Sequence, residues 1–304
     1  MPKPRAYLID SSIYIFRAWH VYDESIIDRE GRPSNAVFGF SDFLFQLMRK
    51  KQPTHIACAF DASQTNSYRK ALFPEYKANR DPAPEELKHQ FQRCRDFCRA
   101  VGIPEFGSDR FEADDIVGSL AYKLRSEGFA VTIVSADKDL TQLVIGEEDA
   151  WWDFARGTVL NHRGVEKQFG VKPLQIPDML ALCGDKVDNI PGIPGVGYST
   201  AAKILQKFPS IEEILENIHQ IAEMKFRGAA RIQALLDHHR ELLPLNKQLT
   251  SIVTDMSFDS LSGPLSDGLR WAGLDPEQFT SLSDELAISN MLQQRWHSLS
   301  QVLA

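Results

Sequence analysis

Few features of this chain point to chemistry outside a reducing, aqueous compartment. It has four cysteines in 304 residues, Cys58, Cys94, Cys98 and Cys183. They show neither Cys-x-x-Cys spacing nor a disulfide framework, which argues against a secreted stapled scaffold and against a zinc ribbon. Cys94 and Cys98 lie one helical turn apart, a spacing that packing explains. No apolar run is long enough to span a bilayer, and the opening Met-Pro-Lys-Pro-Arg leads into a strand rather than a signal peptide. A cytoplasmic location is expected. Positive charge is not in excess, since the net charge is −7; bulk charge alone does not suggest a polyanion as partner. Internal repeats and low-complexity segments are absent. Length and composition fit a soluble globular protein with one large α/β domain, or one domain plus a smaller module.

What is present is acid, unevenly placed. Nine carboxylates fall into five short clusters. Asp10 closes the run Ala6-Tyr-Leu-Ile, and Asp61 closes His55-Ile-Ala-Cys-Ala-Phe. Glu112, Asp114 and Asp115 open a helix. Asp137 and Asp139 follow Val131-Thr-Ile-Val, and Asp185 and Asp188 flank a glycine-rich turn. Three clusters stand where a buried strand ends, and open α/β sheets collect ligands outside the carboxyl ends of their strands. Two carboxylates about 4 Å apart repel by about 4 kcal/mol at an effective dielectric near 20. Such a pocket needs cations or raised pKa values. Phe111-Glu-Ala-Asp-Asp-Ile-Val alone could be a helix start whose acids complement the dipole. The same theme repeated in Asp137-Lys-Asp139 and Asp185-x-x-Asp188 favours metal. Eight histidines occur in the chain, and none stands in an acid cluster, so zinc and non-haem iron fit less well than Mg²⁺. Mg²⁺ keeps several waters, so some of the nine acids must act through water.

The first half alternates strand and helix, which predicts βαβ units and a mostly parallel sheet flanked by helices. Strands are expected at Tyr7–Ile9, Ile56–Phe60, Val131–Val134 and Ala150–Phe154. Helices are expected at Phe38–Lys51, Glu85–Val101 and Glu112–Ser126, the last stopped by Gly128. From Pro173 onward the pattern is helical: Pro177–Leu182, Thr200–Phe208, Ile211–Ile221 and Ala229–Leu243, with a last helix at Asp284–Trp296. The reading divides the chain into an α/β core over 1–172, a helical region over 173–255, and a tail over 256–304 to which no role is assigned.

Two further segments carry chemistry. Ser67-Tyr-Arg-Lys-Ala-Leu-Phe-Pro-Glu-Tyr-Lys-Ala-Asn-Arg80 interleaves bases with Tyr68, Phe73 and Tyr76. It lies in a stretch from Arg49 to Arg99 where bases outnumber acids. Such mixtures bind single-stranded nucleic acid by stacking and backbone charge. Gly192-Ile-Pro-Gly-Val-Gly197-Tyr-Ser199 has Walker A glycine spacing, but Tyr198 stands where the lysine must be, and a helix, not a strand, precedes it. A glycine hairpin between short helices explains it better, with backbone N–H groups that can grip a DNA phosphate.

Together these motifs resemble the 5′-nuclease (flap endonuclease) superfamily, most of all the 5′→3′ exonuclease domain of bacterial DNA polymerase I and its free-standing relatives. The likeness runs from about residue 5 to about 255. It implies a helical arch at about 64–101, and a helix-three-turn-helix at Gly192, Gly195, Val196, Gly197 and Ser199 that grips duplex backbone and often holds K⁺. It implies two Mg²⁺ ions, for which Mn²⁺ can substitute. Asp10, Asp61, Glu112 and Asp114 would surround one, with Asp115 in support; Asp137, Asp139, Asp185 and Asp188 would surround the other. Lys77, Arg80 and Arg17 would attend the scissile phosphate, and Tyr76 the displaced nucleotides.

The implied activity is metal-dependent hydrolysis of DNA with a 5′ flap, a nick or a single-stranded 5′ end, in replication or repair, by a monomeric, nucleoid-associated bacterial protein. A non-catalytic junction binder and a related metal-dependent ribonuclease are the alternatives. Members fused to a polymerase continue into regions whose motifs this sequence lacks, so a free-standing nuclease is expected, with an excised polymerase fragment as the other origin. Tyr198 stands just beyond the hairpin, where a basic residue is common in relatives.

Overall fold

The computed structural model describes residues 3–62, 66–258 and 263–303. Its centre is a six-stranded sheet in the order β3-β2-β1-β4-β5-β6. Strand β1 (Arg5–Asp10) leads into helix α1 (Ser11–Val21) and α2 (Asn35–Lys51), followed by β2 (His55–Asp61). A short helix α3 (Tyr68–Leu72) and α4 (Glu85–Ala100) precede β3 (Glu105–Ser108), α5 (Ala113–Ser126) and β4 (Ala130–Val134). β5 (Ala150–Asp153) and β6 (Thr158–Leu160) complete the sheet. All neighbouring strands are parallel except the β5–β6 pair. β1 has partners on both sides, β2 and β4. The strand order therefore reverses between β1 and β4, the crevice in which such sheets hold ligands.

The sheet is buried on both faces, as parallel sheets are. Ala6 and Leu8 face a core shared with α5 and the helices beyond residue 173. Tyr7 and Ile9 face a second core against α1, α2 and α4. Cys58, Cys94 and Cys98 are buried in that second core, as packing residues. The helical part comprises α6 (His162–Phe169), α7 (Ile176–Cys183), α8 (Tyr198–Lys207), α9 (Ile211–Glu216), α10 (Ala229–His238) and α11 (Leu242–Thr250). After it come α12 (Leu265–Gly268), α13 (Pro276–Glu285) and α14 (Asn290–Leu303). No helix among the described residues is long and apolar enough to cross a membrane.

Several element boundaries differ from expectation, each for a local reason. The helix expected over 211–221 stops at Glu216, where the Asn217 side chain donates back to the Glu213 carbonyl at 2.9 Å; such side chains compete with the helical ladder. Ile218–Glu223 continue as a 3₁₀ turn. The helix expected over 229–243 ends at His238, because Pro244 is tolerated only in the first turn of a new helix, α11. The last expected helix is two. Asp275 caps α13 with Pro276 at its first position, and Ala287, at φ 52°, separates it from α14. Edge strands β3 and β6 were not expected; neither carries an apolar run.

The tail beyond 254 is part of the body. Ile56 N–H donates to the Leu269 carbonyl, and Trp271 N–H to that of Thr54, both at 2.9 Å. Trp296 of α14 is fully buried against Phe45, Phe97 and Phe279.

The segment expected to form an arch contains the helices α3 and α4. Residues 64 and 65 lie outside the described residues. From Ser67 to Arg80 the chain lies against the acids, with Arg69 and Tyr76 buried.

Candidate metal and nucleic-acid site

The three parallel strands β1, β2 and β4 bring acids to one end of the sheet. Asp10, the last residue of β1, takes a 2.8 Å hydrogen bond from the Ser135 hydroxyl just beyond β4. That same hydroxyl accepts from Asp137 N–H at 2.9 Å, so one serine ties the ends of β1 and β4 together. Asp61 closes β2 and accepts from Ala113 N–H at 2.8 Å, docking the start of α5 on the strand end. Asp137 caps the turn after β4 by accepting from Asp139 N–H. Asp185 organises its loop through Val187 N–H at 2.7 Å. Ser135 was missed in the sequence, where a lone serine after a strand carries no signal.

Crowding shows in the acidities. Burial, then the charge of Asp61, pushes Asp10 up to about 7. Burial, with Asp10 and Asp137 beside it, raises Asp114 well above the carboxylate range. Asp137 is raised by burial, with Asp188 and Asp185 adding to it. Asp139 rises by burial and by the charges of Asp137 and Asp185. Glu112 goes the other way: burial would raise it, but Lys77 and Arg69 together bring it down.

The basic segment supplies that compensation. Lys77 Nζ lies 2.9 Å from Glu112 Oε1 and 3.8 Å from Asp188 Oδ2. Arg80 Nη2 reaches Asp188 Oδ1 at 2.5 Å. Tyr76 donates its hydroxyl toward Glu112 Oε2 at 3.0 Å and Asp188 Oδ2 at 2.9 Å. Tyr76 was expected to meet displaced nucleotides. At 2% exposure, packed with Ile190 and Leu249, its ring has no face free for a base.

Asp115, expected in support of the first metal, is held by a dense set of donors. It is fully buried, and both oxygens accept from Arg69, at 2.7 and 2.8 Å. Glu112 N–H and Val253 N–H also donate to it. Four donors meet its two oxygens, an arrangement that ties the start of α5 to Arg69 and Val253. Arg69 itself spends its remaining donors on Glu112, Leu249 O and Ser251 O. Its role was not legible in the sequence, where it is one base among many.

The other expected residues lie as follows. Arg17 is exposed on α1, about two turns beyond Asp10. Gly192 packs backbone to backbone on the end of α7, where a Cβ would meet the Cys183 carbonyl oxygen at 2.1 Å. Gly195 takes φ +84°. Gly195, Gly197 and Ser199 are exposed at the start of α8, whereas the Val196 side chain is buried and leaves only its backbone for contact. The Lys138 ammonium lies 4.9 Å from the centroid of the Tyr198 ring, so a lysine from between two acids of the pocket stands beside the hairpin.

The donor set is all hard oxygen, and four of its acids hold protons more tightly than usual because they are buried and crowded by one another's charge. That chemistry fits a hard divalent cation. Among the described residues no three acidic, cysteine or histidine side chains form a ready-made ligand set. Glu112 and Asp188 are turned toward Lys77, Arg80 and Tyr76, and Asp115 toward Arg69.

Comparison with known proteins identifies a family for the chain. Residues 5–170 match the family described as 5′-3′ exonuclease, N-terminal resolvase-like domain, and residues 171–270 match 5′-3′ exonuclease, C-terminal SAM fold. The chain is 36% identical over 297 residues to DNA polymerase I of Bacillus caldotenax, covering 96% of this chain and 32% of that protein. To DNA polymerase I of Rhizobium leguminosarum it is 36% identical over 289 residues, covering 92% and 28%. The chain thus spans about a third of the length of the curated relatives it matches. Among solved structures, the D15 protein of T5 co-crystallised with metal ions superposes with a TM-score of 0.66 at 17% identity, over 99% of this chain and all of that one. The catalytic core of Rad2 in complex with DNA substrate gives 0.65 at 13%, over 100% and 93%. These structural likenesses show a shared fold.

Proposed function

Because the chain belongs to the 5′-3′ exonuclease family, we propose that it is a divalent-metal-dependent, structure-specific 5′ nuclease. It hydrolyses phosphodiester bonds near the 5′ end of flap, nicked or branched DNA, in replication or repair. The observation that carries this reading is the convergence of acids from three parallel strand ends, α5 and the 185–188 loop beneath one basic segment. Asp10, Asp61, Glu112 and Asp114 would hold one ion, and Asp137, Asp139, Asp185 and Asp188 the other. Mg²⁺ is the native ion in this reading and Mn²⁺ a substitute. When bound, two such ions supply an activated water and counter-charge for the leaving oxygen.

The chain's own groups do the rest. Lys77 and Arg80 exchange their carboxylate partners for oxygens of the scissile phosphate, and Arg17 adds charge along α1. Ser135 keeps Asp10 and Asp137 facing one another. The hairpin at Gly192–Gly197 and the start of α8 hold duplex backbone through main-chain N–H groups, with K⁺ as a further ligand there. Specificity then follows DNA shape rather than base sequence, and the protein acts as a cytoplasmic monomer. In this division residues 1–172 carry most of the chemistry, 173–255 add Asp185 and Asp188 and grip duplex, and 256–304 brace the sheet.

The test is cleavage of a 5′-labelled flap duplex with Mg²⁺ or with EDTA, beside an Asp114→Ala variant. We expect a short labelled product with Mg²⁺ only, reduced at least about 100-fold in the variant, the scale on which losing a catalytic electrostatic group acts. Tight flap binding without any product would turn the assignment to a junction-binding protein.

A further inference from the structure

Lys138 opens the 3₁₀ turn Lys138–Leu143 after β4, flanked by two acids of the pocket. Among the described residues no carboxylate lies within ion-pair distance of its ammonium, whereas Lys77 and Arg80 each have one. The ammonium stands instead 4.9 Å from the centroid of the Tyr198 ring, at the first position of α8. An aromatic face holds a cation there and leaves its outer side free for another partner. Both residues are exposed.

The root of this lysine is fixed. The carbonyls of Asp137, Lys138 and Asp139 accept in turn from Trp151 Nε1 at 2.8 Å, Thr141 Oγ1 at 2.5 Å and Gln142 Nε2 at 3.0 Å. All three donor residues are buried, so the peptide that bears Lys138 belongs to the rigid end of the sheet. The hairpin is tied down as well, with Ile193 N–H donating to the Leu182 carbonyl at 2.8 Å. Residues 192–199 contain no base, and the first turn of α8 contains no acid. A Cβ at Gly197 would meet nothing within 4 Å, so that side of the hairpin is open. A duplex backbone arriving there meets main-chain N–H groups, which give direction, and the Lys138 ammonium, which gives charge.

We propose that Lys138 binds a duplex phosphate at the hairpin, held out by the Tyr198 ring, and so sets the distance from that phosphate to the cut. This rests on the metal-dependent nuclease reading above. Lys77 and Arg80 attend the phosphate that is cleaved; Lys138 holds one that is not. Because it stands between Asp137 and Asp139, the phosphate it holds is in register with the second group of acids. Tyr198 is a positioning residue, acting on the DNA through the lysine and not by stacking on a base.

The experiment measures binding of a blunt DNA hairpin, without a flap, by fluorescence anisotropy in Ca²⁺ from about 50 to about 200 mM salt. It compares wild type with Lys138→Gln, Lys138→Arg, Tyr198→Phe, Tyr198→Ala, and Lys138→Gln combined with Tyr198→Ala. Circular dichroism confirms that each is folded. Losing one phosphate contact flattens the slope of log K against log salt by about 0.9. Wild type should therefore lose about 3- to 4-fold more affinity over that range than Lys138→Gln. Lys138→Arg and Tyr198→Phe should keep the wild-type slope, because each retains the charge and the ring. Tyr198→Ala should flatten it, and adding Tyr198→Ala to Lys138→Gln should change little more, since the two act as a unit. On a 5′-labelled flap with Mg²⁺, Lys138→Gln should spread the cut over neighbouring positions. A wild-type salt slope in Lys138→Gln overturns the proposal, as does full additivity in the double variant or a cut pattern identical to wild type. If wild type cuts no flap, the nuclease reading fails by itself, while the salt slopes still decide whether Lys138 holds duplex.

Discussion

Asp10 carries the energetic cost of crowding acids at a strand end. Its carboxyl is raised from 3.8 to about 7 in the folded protein, while in the unfolded chain it returns to about 3.9. Between those values the folded state holds a proton that the unfolded state has released. Stability must therefore fall as pH rises through this window. Asp114, Asp137 and Asp139 are shifted the same way. Glu112 is shifted the other way, and its stabilising share is lost only as pH falls through its lowered folded value. In EDTA, then, the melting temperature should drop between about pH 5 and pH 7, and added Mg²⁺ or Mn²⁺ should flatten the drop. A flat or rising curve in EDTA would contradict the crowding. The acids themselves were legible in the sequence because each cluster abuts a strand or helix end. The partners that hold Asp115 were not, because Arg69 lies forty-six residues away and the other donor is a backbone N–H at Val253.

Among the elements, the glycine hairpin makes the sharpest steric demand. Gly184 ends α7 at φ +74°, and a Cβ there would meet Gly192 N at 2.3 Å. Gly192 is equally tight against Cys183. Two backbones touch where side chains would hold them apart, and this close approach places the hairpin beside the Asp185–Asp188 loop. Gly192→Ala should destabilise the protein by about 1–3 kcal/mol, as overpacking does, and weaken duplex binding beyond what the melting shift explains. Urea denaturation and fluorescence anisotropy with a hairpin DNA would check both. Long amphipathic helices such as α2 and α5 could be read from spacing, since periodicity survives without tertiary knowledge. Short breaks could not. Asn217 and Pro244 act through local hydrogen bonding and ring geometry that a hydrophobic pattern does not register.

For the molecule as a whole, the tail closes the fold. Trp296 fills the core against Phe45, Phe97 and Phe279, and residues 269–271 add hydrogen bonds at the start of β2. Trp296→Ala should cost about 3–5 kcal/mol, the range for emptying an aromatic site, read as a lower urea midpoint. An unchanged midpoint would mean that the sheet is stable without α14. Beyond a last helix, residues 256–304 did not announce this, because serine and proline breaks interrupt the periodicity and Phe45 and Phe97 lie about 200 residues or more upstream.

The Arg69–Asp115 knot has a consequence for how such a protein can change over evolutionary time. One buried guanidinium holds the start of α5 with one hand and the Leu249 and Ser251 carbonyls with the other, and Val253 closes the loop from beyond them. The floor of the pocket is thus stitched from both halves of the chain. A recombinant that exchanged residues after 171 with those of a distant relative would replace Asp185, Asp188 and the 249–253 backbone that Arg69 and Asp115 hold in one step. The halves are heritable only as a pair.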